Sequence, residues 1–228
     1  MTKNLNDLLN RYSILSSCQE DILNAYALLQ TAYQQNKKLL VCGNGGSAGD
    51  SEHIVGELMK GFVSKRPLPE EMRQKFKDEF DEDGIYLANH LQGALPAISL
   101  VSHSALISAF NNDVSDETVF AQQVYGYGQP GDVLLAISTS GNSKNIVRAV
   151  QVASVLGLKC IALTGKSGGK LKTLCNVSVV VPKNITHEIQ ELHLPIYHAW
   201  CIALEEYFFG NFDNSQQTRT KKTSKQSV

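Results

Sequence analysis

Apolar residues recur at helical spacing from Leu5 to Gln35, through Leu8, Leu9, Tyr12, Leu15, Ile22, Leu23, Tyr26 and Leu29. This repeat predicts two helices with Ser16-Ser17 as break and cap between them, so residues 1–36 read as a helical N-terminal arm. Beyond the arm the period changes. Short runs rich in branched residues occupy 38–42, 95–100, 132–137, 158–164 and 177–181, most of them followed by small or polar residues and then a helical pattern. Apolarity this continuous over so few positions describes strands covered on both faces, hence an α/β fold with a parallel sheet and helices on each side. In such sheets ligands gather at the carboxyl ends of the strands, over helix N-termini, so chemistry is sought in the residues that follow each run.

Two segments stand outside this rhythm. Residues 64–84 are dense in charge and open with Pro67 and Pro69, which predicts an exposed excursion with a short helix near Glu70 to Phe80. Residues 213–228 are polar and mildly basic and predict a disordered tail, leaving residues 1–212 as one domain.

Composition narrows the function classes. Lys and Arg number 21 against 22 Asp and Glu, with 43% hydrophobic and 19% charged residues in 228, so neither a disordered chain nor a polybasic nucleic-acid or membrane binder is expected. No apolar run approaches the ~20 residues of a membrane helix, and the start of the chain is polar; a soluble cytoplasmic protein is expected. Cys18, Cys42, Cys160, Cys175 and Cys201 are scattered, odd in number and never paired as C-x-x-C. The five suit a reducing compartment and not a disulfide framework or a cysteine zinc site, and Cys42, Cys160 and Cys175, in or beside apolar runs, read as core residues.

The first candidate site is Gly43-Asn44-Gly45-Gly46-Ser47, between a strand and a helix running through Glu57 to Phe62. Glycines admit a ligand close to the backbone, and the helix N-terminus offers unpaired N–H groups to an anion. Gly43-x-Gly45-x-x-Ala48 imitates a dinucleotide fingerprint, but the next clear strand begins only at Leu95, too far for a compact βαβ unit. Gly165-Lys166-Ser167-Gly168-Gly169-Lys170 lacks the spacing of a Walker A loop. The second candidate is Ser138-Thr139-Ser140-Gly141-Asn142-Ser143, again between strand and helix. Ser143 alone reads as a helix cap, yet four hydroxyls in six residues exceed what capping requires and form a cradle for phosphate without a cation.

His53 and Glu57, spaced i, i+4, share a helix face, which suits a metal pair, a base with its neighbour or a plain surface hydrogen bond. His187, Gln190, Glu191, His193 and His198 cluster on a late helix. Gln190 and His198 are separated by about 12 Å of rise on a straight helix, too far to hold one ion together. Either Pro195 bends the helix, or the two act in different copies of the site across a subunit interface.

Together with Asn112-Asp113, Leu163-Thr164-Gly165 and Ile189-Gln190-Glu191-x-His193, these loops and pairs resemble the phosphoheptose isomerases of the sugar-isomerase (SIS) domain superfamily, over about residues 5 to 210. The resemblance implies a three-layer αβα sandwich around a five-stranded parallel sheet, assembled as a homotetramer with sites at subunit interfaces. It implies interconversion of sedoheptulose 7-phosphate and D-glycero-D-manno-heptose 7-phosphate, the first step towards nucleotide-activated heptose for bacterial surface polysaccharide. Carried over by position, the resemblance places one zinc ion per subunit on His53, Glu57, Gln190 and His198. It places substrate contacts at Asn44, Gly45, Gly46, Ser47, Glu57, Asn112, Asp113, Ser138, Thr139, Ser140, Ser143 and Gln190, and an acid/base pair at Glu57 and His198.

Ketose-to-aldose isomerisation moves a proton between neighbouring carbons through an enediol, which a carboxylate serves at carbon and an imidazole at oxygen. Two rivals stand beside the heptose reading. The superfamily includes a bacterial regulator that binds the replication initiator and lacks the carboxylate and the late histidine, both present here as Glu57 and His198. The other rival is a different phosphosugar, because the loops grip phosphate and say little about chain length. Gly56, Gly61, His187 and Pro195 depart from the family pattern, and the 64–94 stretch is roughly two dozen residues longer than the family's connection. That insertion reads as a lid, an added interface or a decorated loop.

Overall fold

The computed structural model describes residues 2–210. The predicted tail at 213–228 lies outside them. The strands are β1 (Leu39–Cys42), β2 (Ala97–Ser99), β3 (Val133–Ser138), β4 (Lys159–Thr164) and β5 (Val177–Val180). They form one sheet in the order β2-β1-β3-β4-β5, and every pairing is parallel. The helices are α1 (Lys3–Arg11), α2 (Gln19–Gln34), α3 (Gly46–Met59), α4 (Glu70–His90), α5 (Ser104–Asp113), α6 (Val119–Tyr127), α7 (Lys144–Val155), α8 (Leu171–Leu174) and α9 (Thr186–Phe209).

The alternation of strand side chains divides the core in two. Leu39, Val41, Val133, Leu135, Ile137, Ile161 and Leu163 join a cluster with residues of α1, α2, α3 and α9. Leu40, Cys42, Leu134, Ala136, Cys160 and Ala162 point the other way, to residues of α6, α7 and α8. Both faces of the central strands are therefore dry, which is why β1, β3 and β4, past the exposed Lys159 at the start of β4, carry no polar residues until Ser138 and Thr164 at their carboxyl ends. The expected three-layer αβα sandwich is the observed architecture, with the N-terminal arm in one layer. Trp200 donates its indole N–H to the Ile22 carbonyl at 3.0 Å and so docks α2 on α9.

Two local readings need correction and a third is extended. The break in the arm is a whole 3-10 segment over Ser13–Cys18 rather than a cap at Ser16-Ser17 alone. The helix after the first loop stops at Met59, short of Phe62, because its last carbonyls turn to a side chain described below. In the excursion, the short helix expected over Glu70 to Phe80 ends as expected, at the non-helical Phe80 and Asp81, where Asp81 takes φ 45°, and a second helical stretch that was not foreseen runs on to His90. Gly84 permits the two halves to fold close, since a Cβ there would lie 1.8 Å from the Phe76 carbonyl oxygen.

The excursion leaves and rejoins the domain through a narrow neck. Gly93 N–H donates to the Arg66 carbonyl at 2.7 Å, Gly61 N–H donates to Gln92 Oε1 at 2.7 Å, and Pro67 and Gln92 form an antiparallel bridge.

Candidate active site

Both predicted loops lie at the carboxyl ends of adjacent strands, β1 and β3. The first turns tightly at Gly45, with φ 57°, and enters α3 at Gly46. Gly46 admits a visitor from α9: a Cβ there would lie 2.5 Å from Gln190 Nε2, so the absence of a side chain is what lets the amide of Gln190 rest on the loop. Ser47 is buried under this turn. Asn44 and Asn145 exchange side-chain amide bonds at 2.9 and 3.0 Å, tying this loop to the start of α7.

The hydroxyl loop is held by its own backbone. Gly141 N–H donates to Ser138 O, Leu171 N–H to Gly141 O and Gly165 N–H to Thr139 O. Asn142 accepts from Lys170 N–H at 3.1 Å and donates to Ser140 O at 3.0 Å. Ser143 stands at the N-cap of α7 but makes no side-chain cap bond; its Oγ lies 3.1 Å from Ser138 Oγ. Two hydroxyls facing each other at a helix N-terminus fit an anion cradle better than capping.

The third element is the contact between α3 and α9. His53 Nε2 lies 3.2 Å from Glu57 Oε1, and Lys60 Nζ lies 3.2 Å from Glu57 Oε2. Lys60 thus brings a cation to the carboxylate although its neighbour Gly61 carries no charge. The His198 ring packs edge-on to His53 with centroids 4.9 Å apart, and against Phe62 at 5.3 Å. Burial, then the nearby His53, pushes the His198 pKa down while Glu57 pulls it up, so this imidazole favours the neutral form. On its other side His198 borders a groove of about 420 Å³ between α1 and α9, beside Arg11 and Glu191.

Four residues of this region were not singled out from the sequence. Tyr197, 1% exposed, donates its hydroxyl to Asp50 Oδ1 at 3.1 Å and lies 3.2 Å from His53 Nδ1. Burial and the Asp50 charge push the phenol pKa up, so it stays protonated, and burial pushes the Asp50 carboxyl up as well. Arg66 and Glu205 form a buried ion pair at 2.6 Å, 0% and 3% exposed. Arg66 also donates to the carbonyls of Glu57 at 2.9 Å and Leu58 at 2.7 Å, which ends α3, and its guanidinium stacks on Phe209. Glu205 accepts from the N–H groups of Phe62, Val63 and Ser64. Only Asp50, one turn before His53 on the same face, had a spacing that would have found it.

The remaining predicted residues are dispersed. Asn112 and Asp113 sit exposed at the end of α5 and bond to each other at 2.8 Å. Asn111, beside them, shares a cavity of about 470 Å³ with Asn44, Lys144 and Asn145. His193 is a core histidine: fully buried, 3.2 Å from the Thr164 carbonyl through Nε2, with burial lowering its pKa to about 4.

The metal ligands expected from the family are partly gathered. The His53–Glu57 separation is close to the roughly 3.4 Å kept by two ligands of a tetrahedral zinc ion at bonds of about 2.1 Å. His198 Nε2, buried and without a hydrogen-bond partner, adds a free donor beside them. Gln190 is apart, on Gly46. Among the described residues no three His, Cys, Asp or Glu side chains converge on one point, so the four-ligand set is not assembled within one chain. Although Pro195 lies inside α9, Gln190 and His198 remain on separate neighbours, as the rise along a helix requires.

Comparison with known proteins fits this geometry. A profile of the SIS domain matches residues 3–82 and 79–165. The phosphoheptose isomerase of a Nitratiruptor species is 39% identical over 187 residues, 82% of this chain and 86% of that protein. The chain belongs to the phosphoheptose isomerase family of SIS domain proteins. The phosphoheptose isomerase of Akkermansia muciniphila is 33% identical over 201 residues, covering 88% of this chain and 93% of its own. Among solved structures, the Neisseria gonorrhoeae phosphoheptose isomerase superimposes with a TM-score of 0.69 at 30% identity, covering 88% of this chain and 94% of that one. The Francisella tularensis phosphoheptose isomerase gives 0.69 at 30% identity, covering 90% and 100%.

Proposed function

We propose that this chain interconverts sedoheptulose 7-phosphate and D-glycero-D-manno-heptose 7-phosphate through an enediol, at the start of nucleotide-activated heptose synthesis for a surface polysaccharide. As a family member it is an aldose-ketose isomerase rather than a regulator of replication. The observation that carries the reading is Glu57 placed 3.2 Å from His53, with His198 packed on the same imidazole, at the carboxyl edge of the sheet.

In the ketose the carbonyl is at C2, and the proton that moves is on C1. Glu57, largely buried and flanked by Lys60, is suited to take that proton, exchange it with solvent and deliver one to C2. His198, kept neutral by burial, exchanges a proton with the carbonyl and hydroxyl oxygens as the enediol forms and collapses. The hydroxyls of Ser138, Thr139, Ser140 and Ser143 hold the phosphate at the α7 N-terminus. Asn44, Gly45, Gly46 and Ser47 line the sugar from the first loop, Gln190 from α9, and Asn112 and Asp113 close on it from α5. His53 and Glu57 are spaced to hold a zinc ion, which His198 beside them and the Gln190 of a second copy would complete, and such an ion would polarise the carbonyl when bound. A homotetramer would supply that copy. Five unpaired cysteines support a cytoplasmic setting, and no helix among the described residues is long and apolar enough to cross a membrane.

The test is to incubate the purified protein with sedoheptulose 7-phosphate in deuterated buffer and follow product by NMR. Aldose heptose 7-phosphate carrying solvent deuterium at C2 is expected; no turnover by intact, metal-replete protein would defeat the reading. Native mass spectrometry should find four chains and four zinc ions, and a metal-free monomer would remove the tetramer and zinc from it.

A further inference from the structure

We propose that Tyr197 and Asp50 are positioning residues that hold His53 in one tautomer, with the proton on Nδ1 and the Nε2 lone pair turned to the open side beside Glu57. The inference rests on His53 belonging to the isomerase site. Three close contacts run in a row: Asp50 Oδ1 to Tyr197 Oη at 3.1 Å, Tyr197 Oη to His53 Nδ1 at 3.2 Å, and His53 Nε2 to Glu57 Oε1 at 3.2 Å. A carboxylate only accepts, and a phenol has one proton. Neutral His53 has one proton as well, so two protons serve three contacts and one contact must face acceptor to acceptor. Where that deficit falls is decided by solvent.

Tyr197 is 1% exposed, and Asp50 already has one buried oxygen, Oδ2, without a partner; a second unmet acceptor there would find no water. The His53 side chain is 41% exposed. Its outer edge is where water, a substrate hydroxyl or a cation can reach. The phenol proton therefore goes to Asp50, the phenol oxygen accepts from Nδ1–H, and the unmet pair is Nε2 with Glu57 Oε1. Two electron-pair donors 3.2 Å apart then face the site together, ready for an electron-pair acceptor. A helix-surface His-Glu pair left to itself would place its proton between those two atoms, which would close the site to such a ligand.

The experiment is long-range 15N–1H NMR of the histidine-labelled full chain at pH 8, above the ordinary imidazole range, before and after a chelator. The His53 signal is assigned by its loss in His53→Gln. In wild type, Nδ1 should read protonated and Nε2 bare in both samples. In chelated Tyr197→Phe, and separately in Asp50→Ala, the Nε2–H form should become populated, and turnover should fall about 10- to 100-fold. Asp50→Asn, which keeps an acceptor oxygen for the phenol, should retain the wild-type tautomer. A wild-type Nε2–H form, or an unchanged tautomer in folded Tyr197→Phe and Asp50→Ala, would overturn the proposal. If wild type fails to isomerise the heptose while the tautomer still answers to Tyr197 and Asp50, the isomerase reading falls and the positioning role stands.

Discussion

The α3–α9 wall and the hydroxyl loop are neighbours at one sheet edge, yet they are held by opposite means. The wall is fixed by side chains: Tyr197 reaches from α9 to Asp50 and His53 on α3, and Arg66, from the segment after α3, reaches Glu205 on α9. The loop is fixed by backbone bonds to the Gly165–Leu171 turn and by the one side chain of Asn142, so the hydroxyls of Ser138 and Ser143 bond only to each other. Proton transfer needs groups held in a narrow geometry, which interlocked side chains provide. Phosphate binding needs donors free to turn inward, and a loop whose order comes from its backbone leaves them free. Changes in the wall should therefore register in kcat or in folding, and changes in the loop in KM.

The largest effect should come from Glu57→Gln, which keeps shape but removes the base: turnover should fall about 10²- to 10⁴-fold with little change in KM. A kcat near wild type would move the base elsewhere. Next is Glu205→Gln, which leaves Arg66 buried with an uncompensated charge and should cost about 3–5 kcal/mol in urea unfolding. A loss below 1 kcal/mol would show that the wall does not depend on that pair.

A pH effect follows from His193, which is on the same helix but outside the chemistry. Its native pKa of about 4 lies below the 6.5 of the unfolded chain, so below pH 6.5 the unfolded state binds a proton that the native state refuses. Stability should thus fall by about 3 kcal/mol as pH drops from 6.5 to 4, and His193→Asn should flatten that segment of the urea-midpoint curve. The smallest effect sharpens the loop side of the contrast. Ser143→Ala should raise KM about 10-fold while leaving kcat and the urea midpoint in place. If Ser143 were only a cap, stability would fall by about 1 kcal/mol and KM would stay.

The sheet was readable because strands dry on both faces leave a signature that needs no partner to interpret: 132–137 and 158–164 became β3 and β4 nearly to the residue. Site loops were readable because glycines and hydroxyls cluster locally after strands. Arg66 and Glu205 were not, since a charged residue inside a charge-dense stretch reads as surface, and what buries it comes from a helix 139 residues away. Tyr197 was hidden for the same reason, with Asp50 and His53 about as remote along the chain. The excursion and its first helix were placed correctly, but the second helical stretch was missed because the residues after the kink at Asp81 begin with charge and carry no clear apolar face.

The neck at Arg66, Gln92 and Gly93 makes that excursion a graft rather than a strut. Its two ends meet within hydrogen-bond distance, so whatever is threaded between them is closed by the same joint, at a cost that grows only slowly with length. Related chains are free to carry a short connection, a long helical hairpin or something unrelated at this point, and the α3–α9 wall, clamped from inside by Arg66, would not register the exchange.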